Sequence, residues 1–301
     1  MNESISTDDF PEISTDKELQ KIITKFPEYD SYYIASGCIK ERKEMFNSLW
    51  QIYQPLADKI FLSDCKKKFH QRAWEMYLGV ALIKNGLDIS SSGKGPDFVV
   101  NKGKENEIFI EATACKRGDT KDAVPEEYFA EKPEDIRVLD VPYDKMLLRL
   151  TNSLDSKYKT YKDFIEKKEK PYIIAINRAG LGYIDDIPLI LKCLFGLGFQ
   201  SFKIINEKLF NVGWERKKTV FKKNGTKVPI SLSFFEEEDH NIISAVIYSE
   251  KSVLNYPKEI GSDCILVHNP IAKLSIDPKI FSFFRQYKTK YNKDVLSIIR
   301  I

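Results

Sequence analysis

Histidine is scarce in this chain, at three of 301 residues, and the five cysteines (Cys38, Cys65, Cys115, Cys193 and Cys264) are scattered without a CxxC pair. That supply argues against a zinc site and against histidine as a general base. The odd, dispersed thiols fit a reducing compartment. No run of about 18 apolar residues occurs, so no membrane span is expected. The opening stretch, residues 1–9, is acidic and polar and lacks the apolar core of a signal peptide, which makes a cytoplasmic protein the expectation. Internal repeats and low-complexity segments are also lacking. Gly196-Leu197-Gly198 does not sit between a strand and a helix as a nucleotide-binding fingerprint would, and reads as a helix terminator. The net charge of +3 is too small to advertise a nucleic-acid partner on its own.

What is present describes a globular chain able to bury a sizeable core, with 43% hydrophobic and 30% charged residues. Its charge is unevenly spread. Residues 1–30 carry eight acids against three lysines and read as a loosely attached acidic arm, whereas residues 211–230 carry six basic residues against one acid. Asn224-Gly225 is a strong signal for a tight hairpin turn, flanked by Thr219-Val220-Phe221 and Lys227-Val228. The resulting basic ribbon (Arg216, Lys217, Lys218, Lys222, Lys223), with Trp214 at its base, has two readings. It is either a solvated hairpin whose lysines protect a sheet edge or a surface for a phosphate backbone.

Hydrophobic periodicity gives the order of elements. A short helix is expected at 16–25, capped by Ser14, Thr15 or Asp16. Another is expected at 39–53, and Pro55 reads as the start of a further one. A helix at 65–85, capped by Ser63 or Asp64 and ended by Asn85-Gly86, is apolar around most of its circumference and therefore buried. Glu75 occupies its remaining sector with Gln71, Arg72 and Gly79. Two strands follow, Asp97–Val100 and Ile108–Ala114, joined by a tight turn at 101–106. An irregular loop at 117–142 contains Pro125, Pro133 and Pro142. After it come a helix at 143–168, a strand at 172–177, a helix at 186–195, and strands near 228–234, 242–248 and 264–268. Near-continuous apolar strands separated by helices argue for a central mixed sheet covered on both faces. The expected division is an N-terminal acidic arm with helices over 1–60 and an α/β domain over 61–301.

Glu75, Asp97 and Glu111 carry most of the chemical information. A carboxylate inside an apolar strand such as Ile108–Ala114 is costly to bury unless something neutralises it. Two carboxylates from paired strands and a third from a packed helix would offer Mg²⁺, or Mn²⁺ in its place, the hard oxygen ligands it prefers. Each acid also has an ordinary reading. Glu75 can pair with Arg72 one turn away, Asp97 after Pro96 can open a strand, and Glu111 can be an edge charge.

A helix-borne Glu, then Pro-Asp, then Glu-x-Thr on the next strand resembles the PD-(D/E)xK nuclease superfamily, over residues 65–116 with an echo through Lys157 and the strand at 172–177. The resemblance implies a restriction-endonuclease-like fold, a mixed central β-sheet flanked by helices, and a Mg²⁺-dependent phosphodiesterase acting on DNA. Asp97 and Glu111 would be metal ligands, and Glu75 a third ligand or an orienting group. RNA as substrate, a homodimer, and a non-catalytic nucleic-acid- or partner-binding relative remain open alternatives. The family's usual lysine, two residues after the second acid, is replaced here by Thr113. On the helix 143–168, Lys157 falls within the apolar arc of Leu150, Leu154, Tyr158 and Tyr161, where an ammonium should seek a carboxylate. Some members of the superfamily are similar in carrying the working lysine on a neighbouring helix. Lys116 and Lys94 are the lesser substitutes, and Lys157 can equally be a snorkelling side chain at the arc's edge. Arg149 borders the same arc, within reach of phosphate.

Overall fold

A computed structural model describes residues 10–125, 140–182, 188–224, 226–253, 255–292 and 295–301. The chain opens with α1 (Asp16–Lys25), α2 (Ser31–Cys38), α3 (Lys40–Tyr53), the short α4 (Phe61–Cys65) and α5 (Phe69–Lys84). Strands β1 (Ile89–Ser91), β2 (Phe98–Val100) and β3 (Ile108–Ala114) follow, then the long α6 (Tyr143–Lys168), β4 (Tyr172–Asn177) and α7 (Leu189–Phe195). Next come β5 (Leu197–Ile205), β6 (Lys208–Arg216), β7 (Thr219–Asn224), β8 (Thr226–Ser231), β9 (Ala245–Ser249), β10 (Ile265–His268), β11 (Arg285–Asn292) and β12 (Val295–Arg300).

Eight strands form one sheet in the order β1-β2-β3-β4-β9-β10-β11-β12. The pairs β3–β4, β4–β9 and β10–β11 are parallel and the others antiparallel, so the sheet is mixed. Its central strands are buried along their whole length, as expected of strands covered on both faces. On one face Ile108, Ile110, Ala112, Ile173, Ala175 and Ile247 meet α5, with α2–α4 packed behind it. On the other, Phe109, Ile174, Ile176 and Val246 meet α6 and α7. The alternation of side chains along each strand sorts the residues between these two cores.

Several local expectations hold. Thr15 caps α1, and Glu18 returns the bond to complete a capping box. In α5, every residue from Ala73 to Leu82 is buried, and Gly86 takes the left-handed conformation just after the helix. The Trp74 indole N–H donates to the Ala175 carbonyl (3.0 Å), which ties the helix to β4. The hairpin β7–β8 also forms as expected, in register from Thr219–Ser231 to Asn224–Thr226.

Other expectations are corrected. Ser63 and Asp64 lie within α4, a separate turn of helix, and α5 begins without a side-chain cap. Asp64 is instead bound by Arg72. Pro55 sits in a turn, and the next helix starts only at Phe61. The described part of the acidic segment is not loose. Phe10 is buried with edge contacts to Phe26, Tyr29 and Tyr33, and Leu19, Ile22 and Ile23 pack on the main core. The helices before residue 60 share that core with α5. Pro133, Gly225 and the first residues of the helix expected at 186–195 lie outside the described residues.

Candidate active site

The site exists because β2 is shorter than β3. Strand β2 pairs with β3 only from Val100–Ile108 to Phe98–Ile110, whereas β4 follows β3 through to Ala114. Beyond Ile110, one edge of β3 therefore has no strand partner, and its backbone groups must find others. Asp97, where β2 breaks off, accepts the Ala112 N–H (2.8 Å), and the Asp97 N–H in turn donates to Glu111 Oε2 (3.2 Å). Gln71 of α5 completes the substitution, giving its amide N–H to the Ala112 carbonyl (2.9 Å) and accepting the Ala114 N–H (2.8 Å). Two side chains thus stand where a longer β2 would have run. The gap they bridge brings Asp97 beside Glu111.

Glu75 arrives one helical turn after Gln71. Its Oε1 accepts the Tyr53 hydroxyl (2.7 Å), and its Oε2 accepts Arg72 Nη1 (2.8 Å). Arg72 also binds Asp64 (2.8 Å) and Asp58 (3.4 Å), so the expected Glu75–Arg72 pairing is real and belongs to a larger network. Gly79 makes room for it: a Cβ there would stand 2.7 Å from the Tyr53 ring.

Lys157 reaches the site from α6. Its Nζ lies 2.5 Å from Glu111 Oε1, and the Tyr161 hydroxyl, one turn on, also donates to Glu111. Phe164 packs edge-on against Phe109 (5.3 Å between centroids), which fixes α6 over β3. The Lys157 side chain remains 27% exposed while that of Glu111 is 3% exposed, so the ammonium closes the site from the solvent side. Thr113 is buried at the position two residues after Glu111.

Burial, with Asp97's charge as the second cause, pushes the Glu75 carboxyl up to about 7. Asp97 is likewise pushed up to about 7, by burial and then by Glu111. Glu111 is raised by burial too, against the opposing pull of Lys157, Tyr161 and the Asp97 N–H. Asp97 therefore shares repulsion with Glu75 on one side and with Glu111 on the other, and Lys157 and Arg72 offset part of it.

The donor chemistry fits a hard divalent cation: carboxylate oxygens whose mutual repulsion is incompletely balanced. The arrangement is less complete than the donor set. Among the described residues no group of three or more His, Cys, Asp or Glu side chains is gathered as a metal-binding set. Glu75 is turned toward Tyr53 and Arg72, which leaves Asp97 and Glu111 as the pair able to share an ion.

The remaining sequence-derived positions lie apart from this group. Arg149 lies against Gly118, beyond the end of β3, and its Nε is buried without a hydrogen-bond partner among the described residues. In the basic ribbon, Arg216 is held by Glu236 (2.5 and 2.6 Å) and Lys217 by Asp144, so these two cations are already engaged within the chain. Lys218 and Lys222 lie on the hairpin, and the Lys223 side chain lies outside the described residues. Lys116 is exposed beyond the end of β3, and Lys94 is exposed in the loop before Pro96. Sequence reasoning missed Tyr53, Gln71 and Tyr161. Tyr161 was findable, as the polar neighbour one turn from Lys157. Compared with protein-family models, characterised proteins and solved structures, the chain matches none.

Proposed function

We propose that this chain is a Mg²⁺-dependent nuclease of restriction-endonuclease-like fold that cuts DNA. The observation that carries the reading is the 2.5 Å approach of Lys157 to Glu111, from a helix 46 residues away in sequence. It supplies a cation to a strand whose own lysine position is Thr113. Support also comes from the two carboxylates meeting where β2 ends and from a mixed sheet covered by helices on both faces.

Asp97 and Glu111 would hold the ion, with Glu75 behind them. When bound, Mg²⁺ supplies charge neutralisation and polarisation at the scissile phosphate. The chain's own groups do the rest. The Asp97 carboxylate is oriented by the Ala112 N–H, and Glu111 by the Asp97 N–H and the Tyr161 hydroxyl. Tyr53 and Arg72 hold Glu75 in place. Lys157, once Glu111 has another partner, is free to donate to a phosphoryl oxygen, whose charge grows in the transition state.

The test is cleavage of plasmid and linear DNA, with RNA in parallel, by wild type, Asp97→Ala and Lys157→Met. Wild type should cut in Mg²⁺ or Mn²⁺ and not in EDTA. Asp97→Ala should be inactive, and Lys157→Met should lose orders of magnitude in turnover. Asp97→Ala cutting as fast as wild type would sink the assignment. A second reading, a non-catalytic nucleic-acid-binding relative, is favoured by Thr113 at the lysine position and by the engagement of both Glu75 oxygens with Tyr53 and Arg72. An inert wild type in both metals would select it.

A further inference from the structure

An open cleft of about 780 Å³ lies between the N-terminal helices, the first turn of α5 and the end of β3. The three carboxylates lie outside its lining, and Gln71 is the link to them. Gln71, which replaces β2 along Ala112 and Ala114, is part of its wall, and Arg72 and Glu75 follow on the same helix. The size lies within the range of sites for small organic groups, about 300–1,000 Å³.

Two features of the lining give its chemistry. The first is charge. Lys67 and Lys116 are exposed and carry no ion pair among the described residues, and Arg117 stands half-buried beside them with its guanidinium donating to the Pro125 carbonyl. The acid in the lining, Asp30, is already engaged in accepting the Tyr32 N–H (2.9 Å) at the start of α2. The second is an aromatic wall. Tyr32 and His70 are in ring contact (4.2 Å between centroids), and both are partly exposed to the cleft. Unpaired cations beside a flat ring suit a phosphate and the base attached to it. A recess of this size does not admit a duplex. A base can reach a ring inside it only when unstacked from its neighbours, which is the condition of an unpaired strand.

We infer that this cleft binds the unpaired nucleic-acid strand flanking the bond to be cut. Resting on the nuclease reading above, the inference names the substrate's form: one base lies against Tyr32, and its phosphates face Lys67, Lys116 and Arg117. The strand then passes Gln71 toward Asp97 and Glu111. The preferred substrate is DNA with a single-stranded end or flap.

The test is fluorescence anisotropy of a labelled dT 12-mer with the full-length chain in EDTA, where nothing is cut. Wild type should bind. Tyr32→Ala should weaken binding by roughly 5- to 150-fold, the value of one base–aromatic stack. The double variant Lys67→Gln, Lys116→Gln changes exposed side chains and serves if Tyr32→Ala fails to fold. It should reduce the slope of log affinity against log salt by about 1.4, the loss of two single-strand phosphate contacts. Binding unchanged in both variants would overturn the inference. So would equally tight binding of inorganic polyphosphate, which marks an anion patch without a base site. Failure here is distinct from failure of the nuclease reading. Unchanged oligonucleotide binding, with cleavage still abolished by Asp97→Ala, removes the strand site alone. Tyr32-dependent binding by a chain that cuts nothing removes the nuclease alone.

Discussion

Asp97→Asn should make the protein more stable at alkaline pH while abolishing the proposed nuclease activity. Asparagine keeps the size of the side chain and an oxygen for the Ala112 N–H, and removes the charge. The Asp97 carboxyl is raised to about 7, by burial first and Glu111 second. The folded chain therefore keeps a proton that the unfolded chain has already released between about pH 4 and 7, so wild-type stability falls as pH rises through that window. Below about pH 4 both states are protonated and there is no penalty. Above the folded value the penalty is complete. A shift of about three pH units corresponds to about 4 kcal/mol at 1.36 kcal/mol per unit. Glu75 and Glu111 share the same repulsion, so removing one charge should recover about 2–4 kcal/mol. For a chain of 301 residues that is about 3–6 °C in Tm. Thermal melts in EDTA from pH 4.5 to 8.5 should show the two proteins nearly coincident at the acid end and the variant above wild type at the alkaline end. Added Mg²⁺ or Mn²⁺ should narrow the gap, because only wild type gains by binding. An equal shift at both pH extremes, or no gain at pH 8.5, refutes the electrostatic account.

Lys157→Met leaves Glu111 buried without its nearest cation and should cost about 1–3 kcal/mol in urea unfolding at neutral pH. The double variant Lys157→Met, Glu111→Gln should recover most of that, and a double variant as unstable as the single one would show that packing, not charge, was lost. In Glu111→Gln alone, the rise in Tm on adding Mg²⁺ or Mn²⁺ should largely vanish, and equal rises in variant and wild type would remove Glu111 from the ion's ligands. Gly79→Ala places a Cβ 2.7 Å from the Tyr53 ring and should destabilise by about 1–3 kcal/mol. A fully stable Gly79→Ala with unaltered activity would show that Tyr53 is not needed where it stands.

The parts of the fold visible in the sequence are those with a strong period or strong punctuation. The buried α5 was marked by apolar residues all round and Asn85-Gly86 at its end. The β2–β3 hairpin was marked by its turn, and α6 by an arc clean enough to put Lys157 inward. What escaped was set by tertiary partners. Strand β11 is polar in sequence because its Lys288 and Lys290 face outward, and it becomes a strand by pairing with β10 and β12. The hairpin β5–β6 leaves Phe199, Phe202 and Ile204 exposed, so no alternation of buried and polar residues announced it. In the site, the three acids and Lys157 were legible because charge among apolar residues is conspicuous. Gln71 was not, because an amide satisfying a strand edge looks like any polar helix residue until the truncation of β2 is seen.

Lys157 stands on α6, 46 residues beyond Glu111 in the chain, and not on the hairpin that bears Asp97 and Glu111. During synthesis the three acids leave the ribosome well before the ammonium does. A chain interrupted before residue 157 can pair β2 with β3 and still lack the cation that Glu111 meets in the finished fold. Docking of α6, through Phe164 on Phe109, is thus the step that brings the ammonium to Glu111. A copy that stops, or is clipped, before residue 157 carries the Glu111 carboxylate without the ammonium that meets it in the whole chain.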